Sequence, residues 1–227
     1  LAELGRLDRA SLSPANRLNL DVITYSLQAQ TVAPAQYGID SVVRPYPIFQ
    51  QGGAYFRTPD FLNTAHTIRA AGDAEAYLAR LDAFARVLDE ETAEQRAQAA
   101  RGFLAPDWSL ELTLGQMRKL RAEAAENSTL VQSLVRRAKA ANVAGDWQAR
   151  ATRIVAGSVY PALDRQIAAI EALKPTTRPG DGAWRLTNGE AIYAAALEQM
   201  TTTKLTPEEV HQMGLAQVAE ISAELDK

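Results

Sequence analysis

Only two imidazoles occur in the 227 residues, His66 and His211, and there is no cysteine. Without cysteine the chain has no disulfide, no thiol nucleophile and no thiolate zinc ligand. A self-contained catalytic zinc site takes two or three His with a carboxylate, and this chain has little material for one. His211 lies in the first turns of a predicted helix. A zinc helix would put a second His four residues on and a Glu beside the first, but Leu215 and Gln212 stand there. Its plainest role is that of a partly exposed polar residue. His66 follows Asn63-Thr64-Ala65 in a predicted loop, where one imidazole without a partner favours a structural or capping role over ligand binding. Both are kept as binding candidates.

The most unusual stretch is Tyr46-Pro47-Ile48-Phe49-Gln50-Gln51-Gly52-Gly53-Ala54-Tyr55-Phe56. Aromatic rings, amides and flexible glycines suit a ligand-facing loop, which makes Tyr46, Phe49, Gln50 and Tyr55 binding candidates. They suit equally a loop that plugs into a helical core, and that plain packing is preferred. Gly52-Gly53 is no phosphate cradle, because no Lys-Ser or Lys-Thr follows at the required spacing. There is no Gly-x-Ser-x-Gly elbow. The pairs Glu90-Glu91 and Glu208-Glu209 read as solvated helical surface, and Trp108, Trp147 and Trp184 as caps on a core. No catalytic residue, metal ligand or cofactor is assigned.

The elements that would position these residues are almost all helical. Ala supplies 42 residues, and Ala is the best helix former because it loses no side-chain entropy. Ser13-Pro14 predicts a helix to about Gln30 with Leu20, Ile23 and Leu27 on one stripe. A loop follows over 36–59, with a short extended piece at Ala54-Tyr55-Phe56, and Thr58-Pro59 opens a helical turn through Leu62. Asp73 is expected to cap a long helix through about Arg101, half-buried in its second half. Further helices are predicted over 112–126, 128–141 and 147–173, the last bent at Pro161 because that residue lacks an N–H and crowds the Gly157 carbonyl. Capping boxes at Thr187/Glu190 and Thr206/Glu209 open the final two, the second with an inner stripe of Val210, Gly214, Val218, Ile221 and Leu225. The fold class is therefore all-α: an irregular bundle of seven to eight helices, with a long aromatic and Gly-containing loop after the first and little or no sheet. Residues 1–227 read as one helical region, loosely divisible into 1–145 and 146–227.

Net charge is −3, with 24 basic and 27 acidic residues, and no basic block stands out, so nucleic acid is excluded as an expected partner. No run reaches the roughly 18–20 apolar residues of a membrane span. The chain begins at Leu1 and is still helical in pattern at Lys227, so it is expected to be the N-terminal part of a longer protein.

The combination Tyr46-Pro47…Gln50…Gly53, Pro59-Asp60-Phe61-Leu62 and Ala74-Glu75-Ala76-Tyr77-Leu78-Ala79-Arg80-Leu81 resembles the N-terminal half of the bacterial family called domain of unknown function 885. Gly189-Glu190-Ala191-Ile192-Tyr193 and the run Thr201 to Leu215 are more specific matches. The resemblance implies a largely helical protein much longer than this chain, exported or periplasmic in many members. It also implies a C-terminal His-Glu…Pro-Gly-His-His signature like that of a zinc metallopeptidase, where zinc would activate water with Glu as base. That signature is absent here, so zinc is expected only in the missing C-terminal half. The implied function is a non-catalytic helical region walling part of the substrate cleft of a metallopeptidase-like hydrolase. Its implied partners are the C-terminal half of the same protein and a peptide substrate. The alternative is a free-standing helical binding or assembly module without enzymatic activity, acting on a partner or as a homodimer. A third reading is extracytoplasmic solute binding through the aromatic loop.

Overall fold

The computed structural model describes residues 1–226. Lys227, at which the sequence pattern is still helical, lies outside the described residues. In chain order the helices are α1 (Pro14–Val32), α2 (Ala54–Thr64), α3 (Ala71–Ala100), α4 (Asp107–Ala122), α5 (Thr129–Ala140), α6 (Trp147–Ile154), α7 (Tyr160–Leu173), α8 (Gly189–Thr201) and α9 (Pro207–Leu225). The only β pairing among the described residues is an isolated bridge between Phe49 and Gly52. The fold is all-α. It divides into two compact units, one of residues 1–45 with 182–227 and one of residues 46–181. The junction at 145 expected from sequence falls inside the second unit, where α5 and α6 pack together.

The unit of residues 46–181 is organised by α3. Asp73, in its first turn, reaches back with one carboxylate oxygen to the N–H groups of Arg69 (2.8 Å) and Ala70 (3.0 Å). Those two donors hold its carboxyl below the usual range. Tyr77, Leu78, Leu81, Phe84 and Leu88 then recur at helical spacing and are buried. Each leucine so buried contributes about 1.5–3 kcal/mol. Past Leu88 the same stripe turns polar but stays inside, as Thr92, Gln95 and Gln98. Facing it on α7, Gln166 donates to the Leu88 carbonyl (3.0 Å) and the Thr92 hydroxyl (3.2 Å).

The bend foreseen at Pro161 takes a specific form. Between α6 and α7 the chain makes a π turn over Val155–Val159, and the N–H of Tyr160 bonds the carbonyl five residues back, at Val155. The ladder thus widens just before the residue that has no N–H to give, and the rod continues. The aromatic loop is shorter than expected. Ala54, Tyr55 and Phe56 are the first turn of α2, not an extended piece, and Pro59 lies inside that helix instead of opening one.

In the unit of residues 1–45 with 182–227, α1 opens on Ser13, whose hydroxyl accepts from Asn16 N–H (3.3 Å). A π turn over Ala33–Tyr37 follows it and ends on left-handed Gly38. α8 begins one residue later than the Thr187 box places it, on left-handed Asn188. α9 carries its full box: Thr206 N–H donates to the Glu209 carboxylate (2.7 Å), and Glu209 N–H donates to the Thr206 hydroxyl (3.3 Å). Neither α1 nor α9 contains a buried residue.

Candidate functional site

The segment from Tyr46 to Arg57 brings four of the six candidate residues together, against α3 and α4. Ile48 is fully buried, and its N–H donates to the Gln95 side chain (3.0 Å). Tyr46 and Phe49 meet edge to face with ring centres 6.4 Å apart. Gly52 closes the turn, and a Cβ there would fall 2.1 Å from the Phe49 ring. Gly53 follows with φ of 106°, a conformation that L side chains rarely adopt, and it stands at the N-cap of α2 with no side chain to cap it.

The missing cap comes from α3. One Glu91 oxygen accepts from the Ala54 N–H at 2.6 Å, and the other lies 3.5 Å from the Arg57 guanidinium. A carboxylate at a helix N-terminus meets both unpaired N–H groups and the positive end of the dipole. Burial nonetheless dominates its titration: desolvation pushes the Glu91 carboxyl above the usual range, against the pull of Ala54 N–H and Arg57. Glu91 is therefore not the solvated surface residue its neighbour Glu90 suggests. Its position at the edge of the stripe Leu88–Thr92–Gln95 was the available signal.

Tyr55 is buried, with its hydroxyl 2.8 Å from both the Phe49 carbonyl and the Gln116 side-chain amide. Burial raises it to about 12. Gln50 accepts from the Ser109 hydroxyl on α4. The polar atoms of these side chains are thus used to fasten the loop to the helices behind it.

His66 lies past the other end of α2 and is 6% exposed. Its Nε2 is 2.9 Å from the Asp73 carbonyl, and Arg80 approaches its Nδ1 at 2.9 Å. That geometry assigns the proton to Nε2, with Nδ1 accepting from the guanidinium. The Tyr77 ring meets it edge-on at 5.2 Å. The His66 carbonyl accepts from Arg137, which also holds the Leu62 carbonyl (3.2 Å) and so caps the end of α2. Both ring nitrogens are committed inside the fold. His211 is exposed on α9, in the other unit. In that unit a cavity of about 210 Å³ opens between α1 and α8, lined by Tyr25, Gln28, Ala29, Val32, Ala195, Glu198 and Gln199, and it includes none of the six candidates. Among the described residues no group of three or more His, Asp or Glu could hold a metal ion, and no helix is long and apolar enough to cross a membrane.

The model of a family described as bacterial protein of unknown function, DUF885, matches residues 1–227. The chain belongs to this family. A search of curated proteins finds no match. Among solved structures, this DUF885 chain is similar to the putative lipoprotein from Colwellia psychrerythraea, with a TM-score of 0.89 and 21% identity. The likeness covers 98% of this chain and 39% of that one, so the DUF885 chain spans well under half the length of its structural relative.

Proposed function

We propose that this DUF885 chain is a non-catalytic helical region of a larger, exported, hydrolase-like protein. In this reading the unit of residues 46–181 is a self-sufficient scaffold. The unit of residues 1–45 with 182–227 rests on the remainder of a family-length chain and helps to wall a cleft for a peptide substrate. One observation carries it: five large apolar side chains on α1 (Leu18, Val22, Ile23, Tyr25, Leu27) and five on α9 (Met213, Leu215, Val218, Ile221, Leu225) are exposed. Large apolar side chains left open in such number on a helix mark surface that another surface covers. The length of the structural relative and the lipoprotein in its name support a longer, exported protein.

Hydrogen–deuterium exchange tests the reading, comparing the 227-residue chain with a family-length chain that contains it. Amides of α1 and α9 should exchange at least about tenfold more slowly in the longer chain. Equal rates would refute the docking. Stoichiometric zinc and peptide cleavage by the 227-residue chain alone would refute the non-catalytic assignment.

A further inference from the structure

The rim of α9 narrows what covers it. The stripe Val210, Gly214, Val218, Ile221 and Leu225 runs the length of the helix, with Val218 64% and Leu225 82% exposed. Helical spacing places Glu220 and Glu224 on one side of that stripe and His211 and Glu208 on the other, with Glu209 round the back in its bonds to Thr206. From Pro207 to Asp226 there is no Lys or Arg. None of these four glutamates has a cationic partner within 4 Å among the described residues. In the other unit several charges are paired: Arg165 with Asp89, Arg150 with Glu75, Arg118 with Glu171 and Arg121 with Asp164. Gly214 adds a second feature. A glycine inside a helix is less favourable there than Ala. Nothing in the chain lies within 4 Å of where its Cβ would be, so no internal packing requires it. A backbone crossing close over the stripe would.

We infer that α9 is the docking face for an amphipathic helix flanked by Lys or Arg, supplied by the remainder of a family-length chain, and not for a second copy of itself. The inference rests on the proposed function above and gives that partner its chemistry. A second copy laid antiparallel would set one acidic helix without Lys or Arg against another. Laid parallel, it would likewise offer no Lys or Arg. Like charges flanking an apolar seam select against self-pairing, and opposite charges select for the cognate partner.

The test uses the 227-residue chain and three helical peptides of about five turns. Two share one Leu stripe, flanked by Lys in one and by Glu in the other; the third is a scramble of the Lys peptide. Fluorescence anisotropy should show the Lys-flanked peptide binding about tenfold tighter than either of the others, with the margin shrinking severalfold between about 0.05 M and 0.5 M salt. Ile221→Asp should abolish binding. The double variant Glu220→Lys/Glu224→Lys should favour the Glu-flanked peptide, and Gly214→Ala should weaken binding while leaving the fold intact by circular dichroism. Equal affinity for the Lys- and Glu-flanked peptides, equal affinity for the scramble, or a concentration-dependent dimer in light scattering would each overturn the inference. Exchange protection of α9 in the family-length chain without any charge preference would overturn it alone. Absence of that protection would remove the underlying reading as well.

Discussion

The two units are built from the same kind of helix and differ in what their apolar stripes meet. In residues 46–181, Leu81, Leu88, Leu110, Leu114 and Leu134 are at most 2% exposed, packed between α3, α4, α5 and α7. In residues 1–45 with 182–227, stripes of similar spacing on α1 and α9 bury nothing. An amphipathic pattern therefore states that a face needs covering, and it is silent on where the cover is encoded. Helical stability in proteins comes chiefly from packing such a face, so the two units should hold together with different strength. The most direct way to break this contrast is to truncate one side chain in each. Leu81→Ala should cost about 2–5 kcal/mol, the transfer of the lost atoms plus the cavity they leave. Val218→Ala should stay within about 0.5 kcal/mol in the 227-residue chain. Urea denaturation followed by circular dichroism measures both, and comparable costs would show that α9 is already packed.

Tyrosine hydroxyls offer a second, smaller contrast. The Tyr77 hydroxyl donates to the Leu130 carbonyl at 2.8 Å from a fully buried ring. Tyr77→Phe removes one of the bonds to a carbonyl in the first turn of α5 and should cost about 0.5–1.5 kcal/mol. Tyr25, 41% exposed, reaches the Glu198 carbonyl only at 3.4 Å. Water replaces that bond, so Tyr25→Phe should be silent in the same denaturation experiment.

Most helices could be read from sequence because their signals are local. Ser13, Asp73 and Thr206 act within three or four residues of themselves, and Pro161 acts on the turn before it. α2 could not be read in the same way. Its N-cap is a glycine, it carries a proline, and its cap is a carboxylate from Glu91, 37 residues further along the chain. Tertiary capping overrode the local breakers. The candidate site shows the same division. The aromatic segment was recognisable by composition, and packing into the core was the preferred reading of it. The commitment of both His66 nitrogens depends on Asp73 and Arg80, which no local pattern links to it.

Glu91 sharpens the comparison through pH. Its folded carboxyl titrates above the ordinary value of 4.5, with burial the largest cause. The folded state therefore binds this proton more tightly than the unfolded chain does. The stability that Glu91 contributes is fully present below about 4.5 and is lost as pH rises through the raised folded value. Arg57 and Ala54 N–H offset part of that loss. Glu91→Gln keeps an acceptor for Ala54 N–H and removes the charge. It should flatten the stability profile just above the ordinary carboxylate range, while Glu91→Ala, which uncaps α2, should lower stability at every pH. Denaturation midpoints taken across that range decide it. A Gln variant that keeps the full slope would place the titrating group elsewhere.

Ion pairs should contribute least, and they should not separate the units at all. Arg165 grips Asp89 with two bonds, Nε to Oδ1 at 2.9 Å and Nη2 to Oδ2 at 2.6 Å, joining α7 to α3, yet both side chains are about half exposed. Screening and side-chain entropy limit such a pair to about 0.2–1 kcal/mol. Arg9 and Asp21 are open to the same degree in the other unit. A double-mutant cycle on Arg165 and Asp89 should give a coupling in that small range. Because Arg165 depresses the Asp89 carboxyl, the coupling should be present above its ordinary value of 3.8 and fade as pH falls through the depressed one. The Arg9–Asp21 cycle should give no larger a coupling. If it did, charge would be holding α1 where apolar burial does not, and the weakness expected of that unit would have to be argued from something other than its uncovered stripes.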